Sequence, residues 1–371
     1  MRVLVVSGIW PPDVGGPASH APEVAAGLMA RGHDVEVVTT AVSQPSSRAY
    51  PVRYVSRALP LGVLHAAVCA LVAWRARKAN VVYATGMLGR SSVGAALSRT
   101  PLVVKVAGDP AYERSFRRGF YSGTLIDFEH AALGTRAAAL RRWRTVATRG
   151  AAHVFCPSEF LRSVVVSWGV PPERVTVLPN ATPASRELPP RDELRLGFGI
   201  DGPTLAFAGR LTPQKSLDDA FAAVEGVDGV TLLLAGEGEE RARLEALGVP
   251  RVRFLGALAR ERVLELFAAA DGSLLSSAWE NFPHAVVEAL SVGTPVIATD
   301  VGGVSEIVQD GVNGLLAPPH EPEALGAAVR RYFADDELRG RLRAAAAPSV
   351  ERFSPEHVLD TLESVLERVR R

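Results

Sequence analysis

Residues 277–303 read SAWENFPHAVVEALSVGTPVIATDVGG, and their order decides the fold of this 371-residue chain. A short apolar strand, Gly272–Leu275, leads into them. The loop Trp279–Pro283 follows, then the helical stretch His284–Leu290, then a second apolar strand, Pro295–Thr299. Continuous apolar strands joined through a helix belong to a parallel sheet covered on both faces. Pro283 suits the first helical position, with Asn281 or Phe282 near the cap. Backbone N–H groups at a helix start lack intrahelical partners and form a site for an anion.

The same rhythm extends outward. Thr204–Ala208, Thr231–Ala235 and Val252–Leu255 read as strands, with helices at Leu217–Val224, Glu239–Leu247 and Arg260–Ala269. The N-terminal half repeats it with strands at Arg2–Ser7, Val35–Thr39, Val81–Ala84, Leu102–Val106, His153–Cys156 and Val175–Leu178. Two such runs predict two doubly wound α/β domains, as the chain length also suggests. The joint falls in the Pro-rich segment Pro179–Pro190, so the domains are expected at 1–182 and 183–354, followed by an amphipathic helix over 355–371.

Composition narrows the class. A 47% hydrophobic and 22% charged chain has enough apolar material for two cores. Two cysteines, Cys69 and Cys156, exclude a disulfide scaffold and a four-thiolate zinc site, and fit a reducing compartment. Met1–Ser7 reads as a strand rather than a signal segment, so a cytoplasmic location is expected. The net charge of +1 is a cancellation: residues 1–182 carry 21 basic and 10 acidic side chains, and residues 183–371 carry 20 and 30. No acid occurs between Glu36 and Asp109, where nine Arg or Lys stand. The positive half should attract an anionic partner. Only three of the 41 basic residues are lysine, namely Lys78, Lys105 and Lys215.

Leu59–Trp74 is apolar but shorter than the roughly 20 residues that span a bilayer, and is expected to be a buried helix. The segments ERSFRR (113–118) and RAAALRRWRTVATR (136–149) are strongly basic. They read as a solvated face that steers an acidic partner, with peripheral contact to an anionic membrane as the alternative. No nucleic-acid motif accompanies the charge, so no nucleic-acid partner is expected.

Several residues can do chemistry. Gly15-Gly16 follows the first strand and lets backbone N–H groups approach an anion. Gly209-Arg210 and Lys215, in FAGRLTPQKS, put two cations at the end of a parallel strand, where a diphosphate would sit. Glu280 stands just outside the helix start and Glu288 lies inside the helix. Eight positions apart, the two are spaced along a ligand and suit sugar hydroxyls as acceptors.

This combination resembles the retaining glycosyltransferases of family 4, whose GT-B fold sets two doubly wound Rossmann-like domains across a cleft. The match runs through Glu280, Phe282, Pro283, Glu288, Gly293, Pro295–Ala298 and Gly302-Gly303, then Glu306–Val308 and Gly311–Leu315. The resemblance implies that Arg210 and Lys215 hold the donor diphosphate and that Glu288 binds the ribose. Glu280, with the backbone of Asn281 to His284, would hold the donor sugar and phosphate. Gly16 would approach the diphosphate, Phe254–Gly256 the base, and the last helix would cross back to the first domain. It further implies a UDP- or GDP-sugar donor, a hydroxyl acceptor, and neither metal nor resident cofactor, since the two cations do a metal's work; the basic first half adds the expectation that the acceptor is anionic or lipid-linked.

The chain departs from the family at Asn281 and Ser216, where Gly is usual. It also has Ala107 and Gly108 where many members place a His after the fourth strand. Asp109 is the nearest group able to accept a proton, and is expected to take a catalytic or acceptor-positioning role. Two competing readings are a GT-B epimerase or phosphorylase and a catalytically weak nucleotide-sugar-binding subunit.

Overall fold

The computed structural model describes residues 1–13, 16–46, 49–183 and 186–371, with backbone only at residues 16–19. The chain divides into two compact units, one of Met1–Asn180 with Glu356–Arg371, the other of Ala181–Pro355.

The first unit opens with β1 (Arg2–Val6), α1 (Gly16–Ala30), β2 (Asp34–Ala41) and β3 (Val52–Ser56). It continues through α2 (Leu61–Ala76), β4 (Val81–Ala84), α3 (Leu88–Ser98) and β5 (Leu102–Lys105). The β5-to-β6 connection is long and holds α4 (Pro110–Arg117), α5 (Leu125–Phe128) and α6 (Thr135–Arg149). Then come β6 (His153–Cys156), α7 (Glu159–Ser167) and β7 (Val175–Val177). The strands form one parallel sheet in the order β3-β2-β1-β4-β5-β6-β7. The order reverses between β1 and β4, the switch point where such sheets bind ligands at their carboxyl edge.

The second unit runs α8 (Arg191–Phe198), β8 (Thr204–Ala208), α9 (Leu217–Glu225), β9 (Thr231–Ala235), α10 (Arg241–Ala246) and β10 (Val252–Gly256). After these come α11 (Arg260–Ala269), β11 (Gly272–Leu275), α12 (His284–Ser291), β12 (Val296–Thr299) and β13 (Gly314–Ala317). The unit ends with α13 (Pro322–Ala334) and α14 (Asp336–Ser349). Its parallel sheet has the order β10-β9-β8-β11-β12-β13, with the switch point between β8 and β11. One core cluster packs Ala206, Leu233 and Leu275 against α11 and α12, and a second packs Leu205, Leu232 and Leu274 against α9 and α13. Alternate residues of each strand thus bury opposite ways, as the pleat requires.

Two strands escape the sequence reading. β3 is a sheet edge whose Arg53 and Tyr54 are exposed, so it lacks the apolar continuity of a central strand. β13 is four residues long and follows a glycine-rich turn. α2 also differs from expectation. Leu64, Val68, Val72 and Ala73 are buried, but Leu61, Val63 and Trp74 are 65%, 53% and 58% exposed. The helix is apolar all round yet only one side meets the sheet. No described helix is long and apolar enough to cross a membrane.

The last helix, α15 (Pro355–Val369), packs almost wholly in the first unit. A Cβ at Gly27 of α1 would stand 2.4 Å from Leu359, so glycine is what permits that approach. Arg31 pairs with Asp360 and Glu363, each at 2.7 Å, and the Arg371 guanidinium donates to the carbonyls of Ala76, Arg77, Ala79 and Ser98.

Candidate functional site

In the second unit, the loops leaving β8 and β11 emerge side by side at the carboxyl edge. The first loop contains Gly209, Arg210 and a short 3-10 turn, Pro213–Lys215. It is held by backbone bonds that prolong the β8–β9 pairing, from Gly209 N–H to the Ala235 carbonyl at 3.0 Å and from Leu211 N–H to the Glu237 carbonyl at 2.9 Å. The neighbouring chain must come very close. A Cβ at Gly236 would lie 1.8 Å from the Gly209 carbonyl oxygen, and one at Gly238 would lie 2.0 Å from that of Leu211. Only glycine fits at either place. The sequence reading passed over this Gly-Glu-Gly step, although two glycines directly after an apolar strand were visible in it.

Gln214 docks this turn onto the second loop: its amide donates to the Trp279 carbonyl at 2.9 Å, and its own carbonyl accepts from Ala278 N–H at 2.8 Å. Ser276 Oγ donates to the Lys215 carbonyl at 2.7 Å. These bonds bring Lys215 Nζ into a hydrogen-bonded ion pair with Glu280 Oε1. The same oxygen accepts from Ser277 Oγ at 2.8 Å, while Thr299 Oγ1 fixes the Ser277 carbonyl at 2.7 Å. The side chains of Lys215 and Glu280 are 16% and 8% exposed, so this is a mostly buried pair. Glu280 Oε2 makes no hydrogen bond among the described residues. Arg210 is exposed and has no hydrogen bond or ion pair among them.

Ser216 follows with φ +43°, the left-handed region that L-residues enter at a cost of about 1–2 kcal/mol. Glycine enters that region without steric cost. In the second loop, Pro283 is the N-cap of α12 rather than its first residue. The difference is one position, since Pro283 has ψ 119°, which is extended. Phe282 turns its ring into the core, edge-on to Phe353 at 5.3 Å, so its side chain anchors the loop and only its backbone faces the helix start. Asn281, Pro283 and His284 complete the loop. Glu288, one turn into α12, accepts from Arg260 Nε of α11 at 2.8 Å. The sequence alone does not point to Arg260, because its partner stands 28 residues away. In the segment expected to meet the base, β10 shifts register between Phe254 and Gly256, and the Gly256 carbonyl accepts from Gly236 N–H at 2.8 Å.

The first unit holds the remaining expectations. Gly15 lies outside the described residues, and Gly16 is the first residue of α1. Asp109 is 2% exposed and caps α4, accepting at Oδ1 from the N–H groups of Ala111 (2.8 Å) and Tyr112 (3.1 Å). Its Oδ2 faces Arg144 Nη1 at 3.4 Å. Burial pushes its carboxyl above the ordinary value, against the pull of Arg144 and the two N–H groups. This geometry gives Asp109 a structural assignment in place of the expected catalytic one, because both oxygens are already engaged.

The basic helix is corrected in the same way. Arg144 is 2% exposed, stacks over Trp168 at 3.9 Å and pairs with Glu129 at 2.6 Å. Arg141 donates to the carbonyls of Phe128, Glu129 and Ala131 at the end of α5. Two of the arginines of α6 therefore hold the long connection together instead of facing solvent. Lys105, whose direction was open, is buried and donates to Asn180 Oδ1 at 3.0 Å and the Pro179 carbonyl at 3.2 Å. Burial pushes its ammonium down to about 7.

Comparison with known proteins places the chain. Residues 191–348 match the family described as glycosyl transferases group 1, and residues 14–186 match glycosyltransferase family 4. A D-inositol 3-phosphate glycosyltransferase of Jonesia denitrificans is 32% identical, over 54% of this chain and 52% of that one. The match spans about half the length of that relative. A glycogen synthase of Mycobacterium tuberculosis is 28% identical over 94% of this chain and 89% of its own. Among solved structures, Alr3699/HepE of Anabaena in complex with UDP-glucose superposes with a TM-score of 0.79 at 22% identity, covering 99% of this chain and all of that one. Sucrose-phosphate synthase from Thermosynechococcus elongatus gives 0.81 at 21% identity, covering 99% and 98%. At these identities the structural likeness speaks for the fold.

Proposed function

Because this chain belongs to glycosyltransferase family 4, with the two parallel sheets of the GT-B fold, we propose that it moves a hexosyl group from a nucleotide-diphosphate sugar to a hydroxyl acceptor, with retention at the anomeric carbon. The observation that carries this reading is the Lys215–Glu280 pair at the carboxyl edge of β8 and β11, with Arg210 on the same loop and without an ion pair among the described residues. Two cations and a helix start converge where a diphosphate leaving group would develop charge.

In this reading Arg210 and Lys215 neutralise the departing diphosphate. Glu280 Oε1 is held by Lys215 and Ser277, which leaves Oε2 to accept from a hydroxyl of the donor sugar. Glu288, steadied by Arg260, accepts from the ribose hydroxyls. The bond between the anomeric carbon and the phosphate oxygen breaks, and its electron pair leaves on the diphosphate. The acceptor oxygen bonds to the same face of that carbon, and its proton passes to the leaving phosphate. The domain roles follow from this scheme: donor on the second unit, acceptor on the first.

A thermal-shift panel of UDP-, GDP-, ADP- and dTDP-sugars tests the proposal, since a ligand that binds the folded state raises apparent stability with the logarithm of its saturation. One UDP- or GDP-sugar should stabilise the chain, and Arg210→Ala and Glu288→Ala should abolish the shift and the release of nucleotide. Unchanged kinetics in both variants would overturn it.

A further inference from the structure

Large hydrophobic side chains that stay exposed are concentrated in the first unit; among the described residues only Leu196, Leu247 and Val312 stand in the second. Half of those in the first unit stand on three helices: Leu61, Val63 and Trp74 on α2, Leu97 on α3, and Trp143 and Val146 on α6. Leu97, Trp143 and Val146 are 65%, 52% and 57% exposed. The three helices form one continuous layer. A Cβ at Gly94 of α3 would lie 2.6 Å from Val72 of α2, and Thr100 Oγ1, just past α3, donates to the Ala76 carbonyl at 2.8 Å. Helix α3 also meets α6: a Cβ at Gly89 would lie 2.5 Å from Trp143 Nε1, and Ser92 Oγ donates to the Ala147 carbonyl at 3.3 Å. Along α2 the exposed residues Val63, Ala66, Ala70, Trp74 and Arg77 follow at steps of three and four, so they make one stripe about 21 Å long. Leu64, Val68 and Val72, on the opposite side of α2, lie in the core under the sheet.

Charge says what covers this face. None of the three helices contains an acidic residue, whereas α1, α7 and α15 of the same unit each do. The exposed charges on and directly after the three are all positive: Arg77 and Lys78 after α2, Arg99 after α3, and Arg136, Arg142 and Arg149 on α6. Arg75 is spent within the fold, on Glu36 and on the Trp74 ring, whose centroid is 4.8 Å from its guanidinium. A second copy of the chain is a poor occupant, because a two-fold contact repeats the same surface and would set these cations against one another. Tryptophan and short aliphatic side chains interleaved with Arg and Lys, with no acid between them, match the layer where lipid headgroups meet acyl chains.

We propose that the α2–α3–α6 face of the first unit docks on an anionic lipid surface, with the α2 stripe and Trp143 entering the headgroup layer and the surrounding cations meeting lipid phosphates. The docking face does not depend on the glycosyl-transfer reading, and the thermal-shift panel tests that reading separately.

The test is flotation of the full chain with vesicles of phosphatidylcholine alone and of phosphatidylcholine with phosphatidylglycerol. The chain should float with the anionic vesicles and not with the neutral ones. Val63→Ser with Trp74→Ser, and separately Arg77→Glu with Lys78→Glu, should each weaken that binding at least about 10-fold. Arg330→Glu with Arg331→Glu, the same change of charge on two exposed residues of α13 in the second unit, should leave it within about 2-fold. An equal loss in this α13 control would show attraction to net charge rather than a docking face, and overturns the proposal. A chain that floats with neither vesicle leaves an acidic protein as the occupant, and the lipid proposal falls. Self-association of the parent that Val63→Ser with Trp74→Ser abolishes, read by sedimentation equilibrium, would assign the face to a second copy and overturns it as well. Hydrogen exchange of the parent with anionic vesicles needs no variant: added protection should fall on residues 61–78, 88–99 and 135–149, and protection that spares them overturns the proposal.

Discussion

At the scale of single residues, the site turns on how one carboxylate is shared. Glu280 Oε1 takes both Lys215 and Ser277, which orients Oε2 without using it. Glu280→Gln keeps the shape but removes the charge that fixes Lys215. It should leave nucleotide binding near normal and lower turnover by roughly 10²-fold, measured as nucleotide release under saturating donor. Asp109 offers the opposite case. Asp109→Ala removes a helix cap and leaves Arg144 without one of its buried partners, and should cost about 3 kcal/mol or more in urea unfolding. Asp109→Asn keeps the cap acceptor and should retain near-normal turnover; lost turnover at unchanged stability would restore a catalytic role. Ser216→Gly should stabilise the chain by up to about 1 kcal/mol, since glycine enters the left-handed region without steric cost. The types and spacing of Arg210, Lys215, Glu280 and Glu288 were legible in the sequence because the chemistry dictates them. The partners Ser277, Gln214 and Arg260 were not, because each acts across a loop contact that spacing does not record.

At the scale of elements, continuous apolar strands and glycine-terminated helices identified most of the two sheets, and failed where an element was short or at an edge. β6 carries a pH-dependent part of the stability. His153 is 2% exposed, bonds Thr176 Oγ1 at 2.9 Å, and is pushed down to about 4 first by burial and then by Arg368 and Arg174. The unfolded chain, with a His pKa near 6.5, therefore binds more protons between these values. Stability should be fully present above about pH 6.5 and fall by roughly 2 kcal/mol from pH 7 to pH 5. His153→Gln should flatten that segment of the unfolding profile; an unchanged slope would contradict the assignment. Helix α6 shows why charge patterning misleads. A run of arginines reads as a solvated face, yet a guanidinium over an indole and against a carboxylate can be buried when the surrounding loop supplies its partners.

At the scale of the whole molecule, the C-terminal segment Glu356–Arg371 joins the first unit and brings four acids and three bases with it. Its Asp360 and Glu363 meet Arg31, so part of the first unit's positive excess is neutralised from the far end of the chain. Hydrogen exchange with a bound UDP-sugar should show its strongest protection at residues 209–216 and 276–288 in the second unit, and protection confined to the first unit would contradict the assignment of donor to the second. By itself the sequence determined two parallel α/β units and the family. Apolar periodicity, helix starts and anion chemistry are local rules, and each leaves its mark within one strand–loop–helix step. Only the tertiary structure decided which charges are spent on structure. Whether Asp109 or Arg144 is neutralised depends on side chains brought together by packing from separate elements, and neither residue type nor spacing carries that information.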